Sequence, residues 1–159
     1  MGSYLPSNMK ISELLTLQTI QPSLYAENKE DALEKMIGLF KPLLGKNEFE
    51  SVNKAIMERE SVMSTGVGKG IALPHGKTSE IEENLAALAV LKTPVVYDHS
   101  DYPPVDLIFM LAGSGLNSSE HIRLLSRIST LLNRDEFTSR IRSCKTAEEI
   151  LDVFRKEEL

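Results

Sequence analysis

The sequence contains a single cysteine, Cys144, and no apolar run long enough to span a membrane. One cysteine excludes an internal disulfide framework and favours a reducing compartment, the cytoplasm. The N-terminus lacks the apolar core of a signal peptide, so neither export nor membrane insertion is expected. Basic residues are not in excess, and the net charge of −5 argues against a nucleic-acid partner, because phosphate contacts need concentrated lysine and arginine.

The composition is that of one globular domain. The chain has 159 residues, of which 42% are apolar, and this is enough to bury a single core. Residues 1–8 are interpreted as a flexible leader, and residues 9–159 as the domain. There are no internal repeats, and no linker is long enough to divide the chain.

Two helices are predicted in the first third of the domain. Asn28 is a suitable N-cap for the first, which continues at helical spacing for about four turns until Pro42 ends or kinks it. Asn47 with Glu50 forms a capping-box pattern that predicts the start of the second helix. This second helix is expected to end near residues 58–60.

The middle of the chain changes to short, continuous apolar runs. Residues 71–74, 85–91 and 105–112 have this pattern, which is typical of strands covered on both faces. Residues 95–97 are a candidate for one more strand, followed by a turn at residues 98–104.

Helical spacing returns after residue 117. A long helix capped by Ser118 or Ser119, a shorter helical piece, and a last helix with a Thr146–Glu149 capping box are predicted. Their buried faces comprise Leu124, Leu125, Ile128, Leu131, Leu132, Phe137, Ile141, Ile150, Leu151 and Phe154. The sum predicts an α/β fold: a single-domain layered sandwich with a mixed central β-sheet and helices on both faces. Strand order does not follow from the pattern.

The most distinctive segment is GVGKGIALPHGKTSE, residues 66–80, and three kinds of chemistry fit parts of it. A phosphate-binding loop of the Walker type is suggested by Gly76-Lys77-Thr78. That motif requires a glycine where Ile71 stands, and Pro74 has no N–H group to donate to a phosphate. This reading is therefore disfavoured.

A metal site would have to use the three histidines, His75, His99 and His121. Their spacing matches no metal-binding motif, and His99 lies in a polar turn. No metal and no other cofactor are expected.

The third possibility makes His75 a nucleophile toward phosphorus. A neutral imidazole has one unprotonated nitrogen near pH 7 and can attack without first losing a proton. Pro74 keeps Leu73 extended, so that His75 emerges at the end of the strand, and Gly76 leaves space beside it. A lone histidine in a strand-end turn is the simpler alternative.

A resemblance to a known family favours the nucleophile. Residues 60–76, ESVMSTGVGKGIALPHG, resemble the active-site signature of the fructose/mannitol-type (type 2) EIIA domains of the bacterial phosphotransferase system, the PTS. The signature is matched at every position, and the resemblance extends over residues 9–159. The matching positions are Glu60, Val67, Gly68, Ile71, Ala72, Leu73, Pro74, His75 and Gly76.

The resemblance implies a role for several residues. His75 corresponds to the histidine that accepts a phosphoryl group from an HPr-type carrier protein. His121 corresponds to the family's second histidine, in the first turn of a helix where the dipole favours a phosphate, or else it is a structural histidine bonded at the edge of the core. Arg59 corresponds to an arginine that stabilises the transferring group, or else it caps a helix end. Ser64 and Thr65 are candidates to donate hydrogen bonds to the phosphate, or they shape the turn.

Three functions remain open at this stage. The absence of EIIB and transmembrane EIIC segments favours a phosphocarrier in PTS signalling, like the nitrogen-regulatory EIIA proteins, with regulatory proteins as partners. The alternative is the EIIA component of a fructose/mannitol-type transport system, which passes its phosphoryl group to EIIB. A binding module that has lost phosphotransfer is disfavoured because His75, His121 and Arg59 are all present.

Overall fold

The computed structural model describes residues 9–98 and 102–159. Its strands are β1 (Ile20–Leu24), β2 (Gly66–Gly68), β3 (Ile71–Ala72), β4 (His75–Thr78), β5 (Leu85–Val95) and β6 (Val105–Ser114). Its helices are α1 (Lys29–Gly38), α2 (Lys46–Val62), α3 (Ser118–Leu132), α4 (Asp135–Ser143) and α5 (Ala147–Glu157). Short 3-10 turns cover Ile11–Glu13, Leu17–Thr19 and Lys41–Leu43.

The six strands form one mixed sheet around the long antiparallel pair of β5 and β6. The order is β1-β5-β6-β3-β2, and β4 continues along the same edge of β6 as β3. β1 is parallel to β5, β3 and β4 are parallel to β6, and β2 is antiparallel to β3. The predicted fold class is confirmed, and the structure supplies the strand order.

Two cores lie on opposite faces of the sheet, because successive residues of a strand point to opposite sides. The core between the sheet and α1–α2 contains Ala32, Leu33, Met36, Ile37, Phe40, Val52, Ile56, Ala87, Ala89, Ile108, Met110 and Ala112. The core between the sheet and α3–α5 contains Leu88, Leu107, Phe109, Leu111, Leu124, Ile128, Leu132, Phe137, Ile141, Ile150, Leu151 and Phe154. The continuous apolar runs of β5 and β6 therefore serve both cores, as the sequence pattern predicts.

The N-terminal helices differ from the prediction at their ends. Asn28 caps α1 as predicted, but α1 ends at Gly38, and Pro42 lies in the separate turn Lys41–Leu43. α2 begins at Lys46, because Gly45 is its N-cap and the Glu48 carboxylate accepts the Gly45 N–H at 2.7 Å. The predicted Asn47 start is therefore wrong, and the helix continues to Val62, beyond the predicted end.

The sequence pattern does not predict strands β1, β2 and β4, and the strand predicted at residues 95–97 is absent. β1 has mixed burial and contains a proline, while β2 and β4 are short and rich in glycine or polar residues. Residues 95–97 do not form a strand of their own, because Val95 is the last residue of β5. In the predicted turn at 98–104, residues 99–101 lie outside the described residues, as does the leader at 1–8.

In the C-terminal part, the Thr146–Glu149 capping box of α5 is confirmed. The cap of α3 is Asn117, whose side chain accepts the Glu120 N–H at 3.1 Å, and the predicted Ser118 or Ser119 cap is wrong. Across residues 9–98 and 102–159, no helix combines the length and the apolar character needed to cross a membrane.

Candidate functional site

His75 is the first residue of β4 and directly follows Pro74, which lies in the short interruption between strands β3 and β4. Both strands pair with β6, and His75 lies opposite Leu111. Neighbouring residues of paired strands share a face, so the imidazole lies on the α3 side of the sheet. Gly76 faces the other way, where a Cβ would come within 2.7 Å of the Ala55 carbonyl carbon in α2. Glycine here lets α2 pack directly against β4.

The imidazole of His75 is fixed by a hydrogen bond to the chain that leads into it. Its Nδ1 lies 2.8 Å from the carbonyl oxygen of Leu73. A carbonyl oxygen only accepts, so Nδ1 carries the proton and donates it, and Nε2 keeps a free lone pair. Burial lowers the pKa of His75, and the Arg59 charge lowers it further, against the opposing effects of the Leu73 hydrogen bond and Glu60. The ring is therefore neutral near pH 7.

His121 lies in the first turn of α3, as predicted, with its ring centroid 6.0 Å from that of His75. Its side chain is 5% exposed. Burial, together with the nearby His75 and Lys77, lowers the pKa of His121 to about 4. The fold thus brings together two imidazoles that are 46 residues apart in the sequence, and both are neutral near pH 7.

Arg59 lies near the end of α2 and lines the same pocket as His75. One guanidinium nitrogen, Nη1, donates to the Met63 carbonyl oxygen at 3.0 Å, which is the helix-end contact considered from the sequence. The pocket has a volume of about 230 Å³ and is also lined by Ser64 and Ser129. A guanidinium has five N–H donors, so this single bond leaves others that can meet a negatively charged group.

Ser64 and Thr65 have different surroundings. Ser64 Oγ accepts the Gly66 N–H at 3.1 Å, and its own hydroxyl proton is not used by that bond. Thr65 is buried, and its hydroxyl donates to Glu60 Oε1. A hydroxyl has only one proton to donate, so Thr65 shapes the loop and is not placed to donate to a phosphate.

A cluster formed by Glu60, Lys29 and Tyr97 lies beneath this loop, and its role does not follow from the sequence pattern. Glu60 accepts the Thr65 N–H at 3.0 Å, the Tyr97 hydroxyl at 3.0 Å and an ion pair from Lys29 at 2.9 Å. Burial alone would raise the pKa of Glu60, but these contacts together hold it below its ordinary value. The sequence signal for this cluster is Glu60, which occupies the acidic position of the signature. No sequence signal identifies its partners, because Lys29 and Tyr97 come from distant segments.

In the part of the chain that the structure describes, neither a metal-binding cluster nor a larger depression involves His75 or His121. Among residues 9–98 and 102–159, no group of three or more His, Cys, Asp or Glu side chains is arranged to hold a metal, and His99 lies outside those residues. Two of the larger depressions, of about 540 and 520 Å³, lie on either side of the β2–β3 hairpin. Their described linings include neither His75 nor His121.

A neutral imidazole with one nitrogen anchored and the other free, beside a second imidazole and a guanidinium, defines a site suited to carrying a transferable anionic group. The chain matches the family model described as "Phosphoenolpyruvate-dependent sugar phosphotransferase system, EIIA 2" over residues 13–157. It belongs to this family of PTS phosphotransfer components.

The relatives include both branches of the family. The chain is 34% identical over 150 residues to the fructose-specific EIIABC component of Bacillus subtilis, covering 94% of this chain and 24% of that protein. It is 32% identical over 145 residues to a nitrogen regulatory protein of Bradyrhizobium diazoefficiens, covering 91% of this chain and 94% of that one. The crystal structure of IIA-Ntr from Neisseria meningitidis superimposes with a TM-score of 0.81 at 26% identity, covering 91% of this chain and 98% of that one.

Proposed function

We propose that the protein is a cytoplasmic phosphocarrier that accepts a phosphoryl group on Nε2 of His75 from an HPr-type phosphoprotein. The observation that carries this proposal is the hydrogen bond from His75 Nδ1 to the Leu73 carbonyl oxygen. This bond fixes the tautomer and leaves the Nε2 lone pair unprotonated and directed away from the anchoring contact.

The transfer step balances without an added acid or base. The Nε2 lone pair of His75 forms the new P–N bond, and the P–N bond of the donor phosphohistidine breaks. The electron pair of that broken bond returns to the donor ring, which is protonated on its other nitrogen and leaves as neutral imidazole. The His75 ring keeps its Nδ1 proton on the Leu73 carbonyl oxygen.

Three neighbours of His75 stabilise the transferring group in this proposal. Phosphoryl transfer passes through a loose transition state, so the protein contributes mainly positioning and charge stabilisation. Arg59 supplies a guanidinium from the pocket wall, and Ser64 supplies a hydroxyl. His121 supplies a hydrogen bond from an imidazole that adds no charge.

The donor protein docks, in this proposal, on an apolar rim around the pocket. Val62, Met63, Val67 and Ile122 are exposed apolar side chains on the end of α2, the β2 strand and α3. Exposed apolar clusters of this kind mark protein interaction sites. A phosphoryl group adds about two negative charges. Phosphorylation should therefore weaken the binding of partners that bury the rim and strengthen the binding of partners that offer arginine.

We place the protein in the regulatory branch, where phosphorylation selects among protein partners. The superposition on a structure named IIA-Ntr supports this choice. Transfer to an EIIB protein is the second candidate, supported by the 34% identity to a fructose-specific EIIABC component. Capture of cell-extract proteins by the phosphorylated and unphosphorylated forms separates the two. Identical partner sets, with transfer only to a sugar-specific EIIB, would contradict the regulatory assignment.

The phosphocarrier proposal is tested by incubation with a phosphorylated HPr-type protein, followed by intact mass and mapping of the acid-labile phosphate. His75→Ala should abolish labelling with little change in the unfolding midpoint, since His75 is only partly buried and its side chain has a single hydrogen bond, to the Leu73 carbonyl oxygen. His121→Ala should slow the transfer without preventing it. A label on any other residue, or no label on the wild-type chain, would overturn the proposal.

A further inference from the structure

Gly113 lies on β6 directly beneath the imidazole of His121. It pairs with Lys77 of β4, two residues beyond the pair formed by His75 and Leu111. Alternate residues of a strand share a face, so Gly113 and His75 lie on the same side of the sheet. A Cβ added at Gly113 would overlap His121 Nδ1 and lie 2.6 Å from its Cε1. The ring of His121 therefore occupies the space that any side chain at position 113 would need.

The backbone does not itself require glycine at this position. Among the described residues, positive φ angles occur at Gly68, Lys69 and Gly70, and Gly113 has none. Alanine at position 113 would be free of backbone strain, because that strain arises only in the left-handed region. The three atoms nearest to such a Cβ all belong to the ring of His121.

The niche above Gly113 also determines where the proton of His121 lies. Its Nδ1 is the one buried side-chain nitrogen or oxygen without a hydrogen-bond partner among residues 9–98 and 102–159. A buried N–H group without an acceptor is strongly disfavoured because it loses its hydration without gaining a partner, whereas an unpaired lone pair is tolerated more readily. The proton therefore belongs on Nε2. An imidazolium is excluded as well, because it would place a proton on Nδ1.

We propose that Gly113 is a positioning residue for phosphotransfer: the niche above it holds His121 as a neutral imidazole whose Nε2–H is offered to the phosphoryl group on His75. This inference rests on the phosphocarrier function proposed above. Its consequence is a site that orients the phosphoryl group through an uncharged donor. Such a donor binds an anion less strongly than a cation does, so the phosphohistidine is held without being trapped.

Nitrogen-15 NMR of the histidine side chains tests the tautomer without any phosphoryl donor, so it stays informative even if the phosphocarrier function is wrong. The wild-type protein at pH 7 should show His121 protonated on Nε2 only, with the resonance assigned by its loss in His121→Gln. An imidazolium, or a proton on Nδ1, would overturn the proposal. Gly113→Ala should displace the ring and change this signature, whereas Gly38→Ala should not. Gly38 has no atom within 4 Å of an added Cβ.

Paired variants at position 121 test which nitrogen matters. The side-chain nitrogen of glutamine can occupy the place of the imidazole Nε2, while that of asparagine reaches only the place of Nδ1. His121→Gln should retain most of the single-turnover transfer rate. His121→Asn should lose on the order of 100-fold, the usual cost of removing one donor to a developing charge. Equal rates in the two variants would overturn the proposal.

A double-mutant cycle tests whether Gly113 acts through His121. Gly113→Ala should slow transfer by at least tenfold with an unchanged KM for the donor protein, because the docking surface is not altered. In a His121→Ala background the added methyl has space, and the same substitution should have no further effect. An equal slowing in both backgrounds would show that Gly113 is only structural. If Gly113→Ala does not fold, the double variant with His121→Ala should fold, because the added methyl then has space. Failure of both to fold would show that Gly113 is only structural.

Discussion

Lowering the pH from 7 to 5 should remove about 2 kcal/mol of folding stability through His121. The side chain is 5% exposed, and its pKa is lowered from 6.5 to about 4, chiefly by burial. Because the unfolded chain binds a proton near pH 6.5 and the folded chain does not, the stabilisation is present above pH 6.5. It is lost as the pH falls toward 4, at about 1.4 kcal/mol per pH unit. Between pH 6.5 and 5 this amounts to about 2 kcal/mol.

Urea unfolding of the wild-type protein and His121→Gln, at intervals from pH 7 to 5, measures this contribution. Glutamine does not titrate, so the difference between the two curves isolates His121 from His75, whose lowered pKa contributes to both. The charge of Lys77 on β4, which contributes to the lowered pKa of His121, is common to both proteins. Parallel stability curves would refute the reasoning, since they would mean that His121 is protonated equally in the folded and unfolded chains.

Three further substitutions have expected outcomes. Glu60→Gln should lower the unfolding free energy by about 1–3 kcal/mol in urea titrations, because an amide cannot pair with the charge of Lys29. It should also slow phosphoryl transfer by loosening the loop, and unchanged stability would contradict this. Gly76→Ala should cost about 1–3 kcal/mol by forcing α2 away from β4, since the new Cβ would come within 2.7 Å of the Ala55 carbonyl carbon. A wild-type thermal midpoint would count against that packing. Phe137→Ala should cost about 3–5 kcal/mol, because its ring is fully buried in the α3–α5 core.

The sequence by itself determined the elements whose pattern is long or chemically specific. The apolar runs of β5 and β6, the Asn28 cap and the Thr146–Glu149 capping box are recognisable because each depends on residues close together in the chain. The family signature around His75 is local in the same sense, since its positions span 17 consecutive residues from Glu60 to Gly76. Such features are predictable because their physical causes lie within a few turns or one strand.

Only the tertiary structure decided the contacts that join distant segments. The strands β1, β2 and β4 lack a distinctive pattern, because each is held by pairing to β5, β3 or β6 and not by its own composition.

The site depends on the same long-range packing. Side chains from separate elements meet in the cluster of Glu60, Lys29 and Tyr97, and the ring of His121 in α3 meets Gly113 of β6. Local sequence shows that a histidine follows Pro74. The packing of α3 against β6 sets the second imidazole beside it and keeps that imidazole neutral, because burial is a property of the assembled fold.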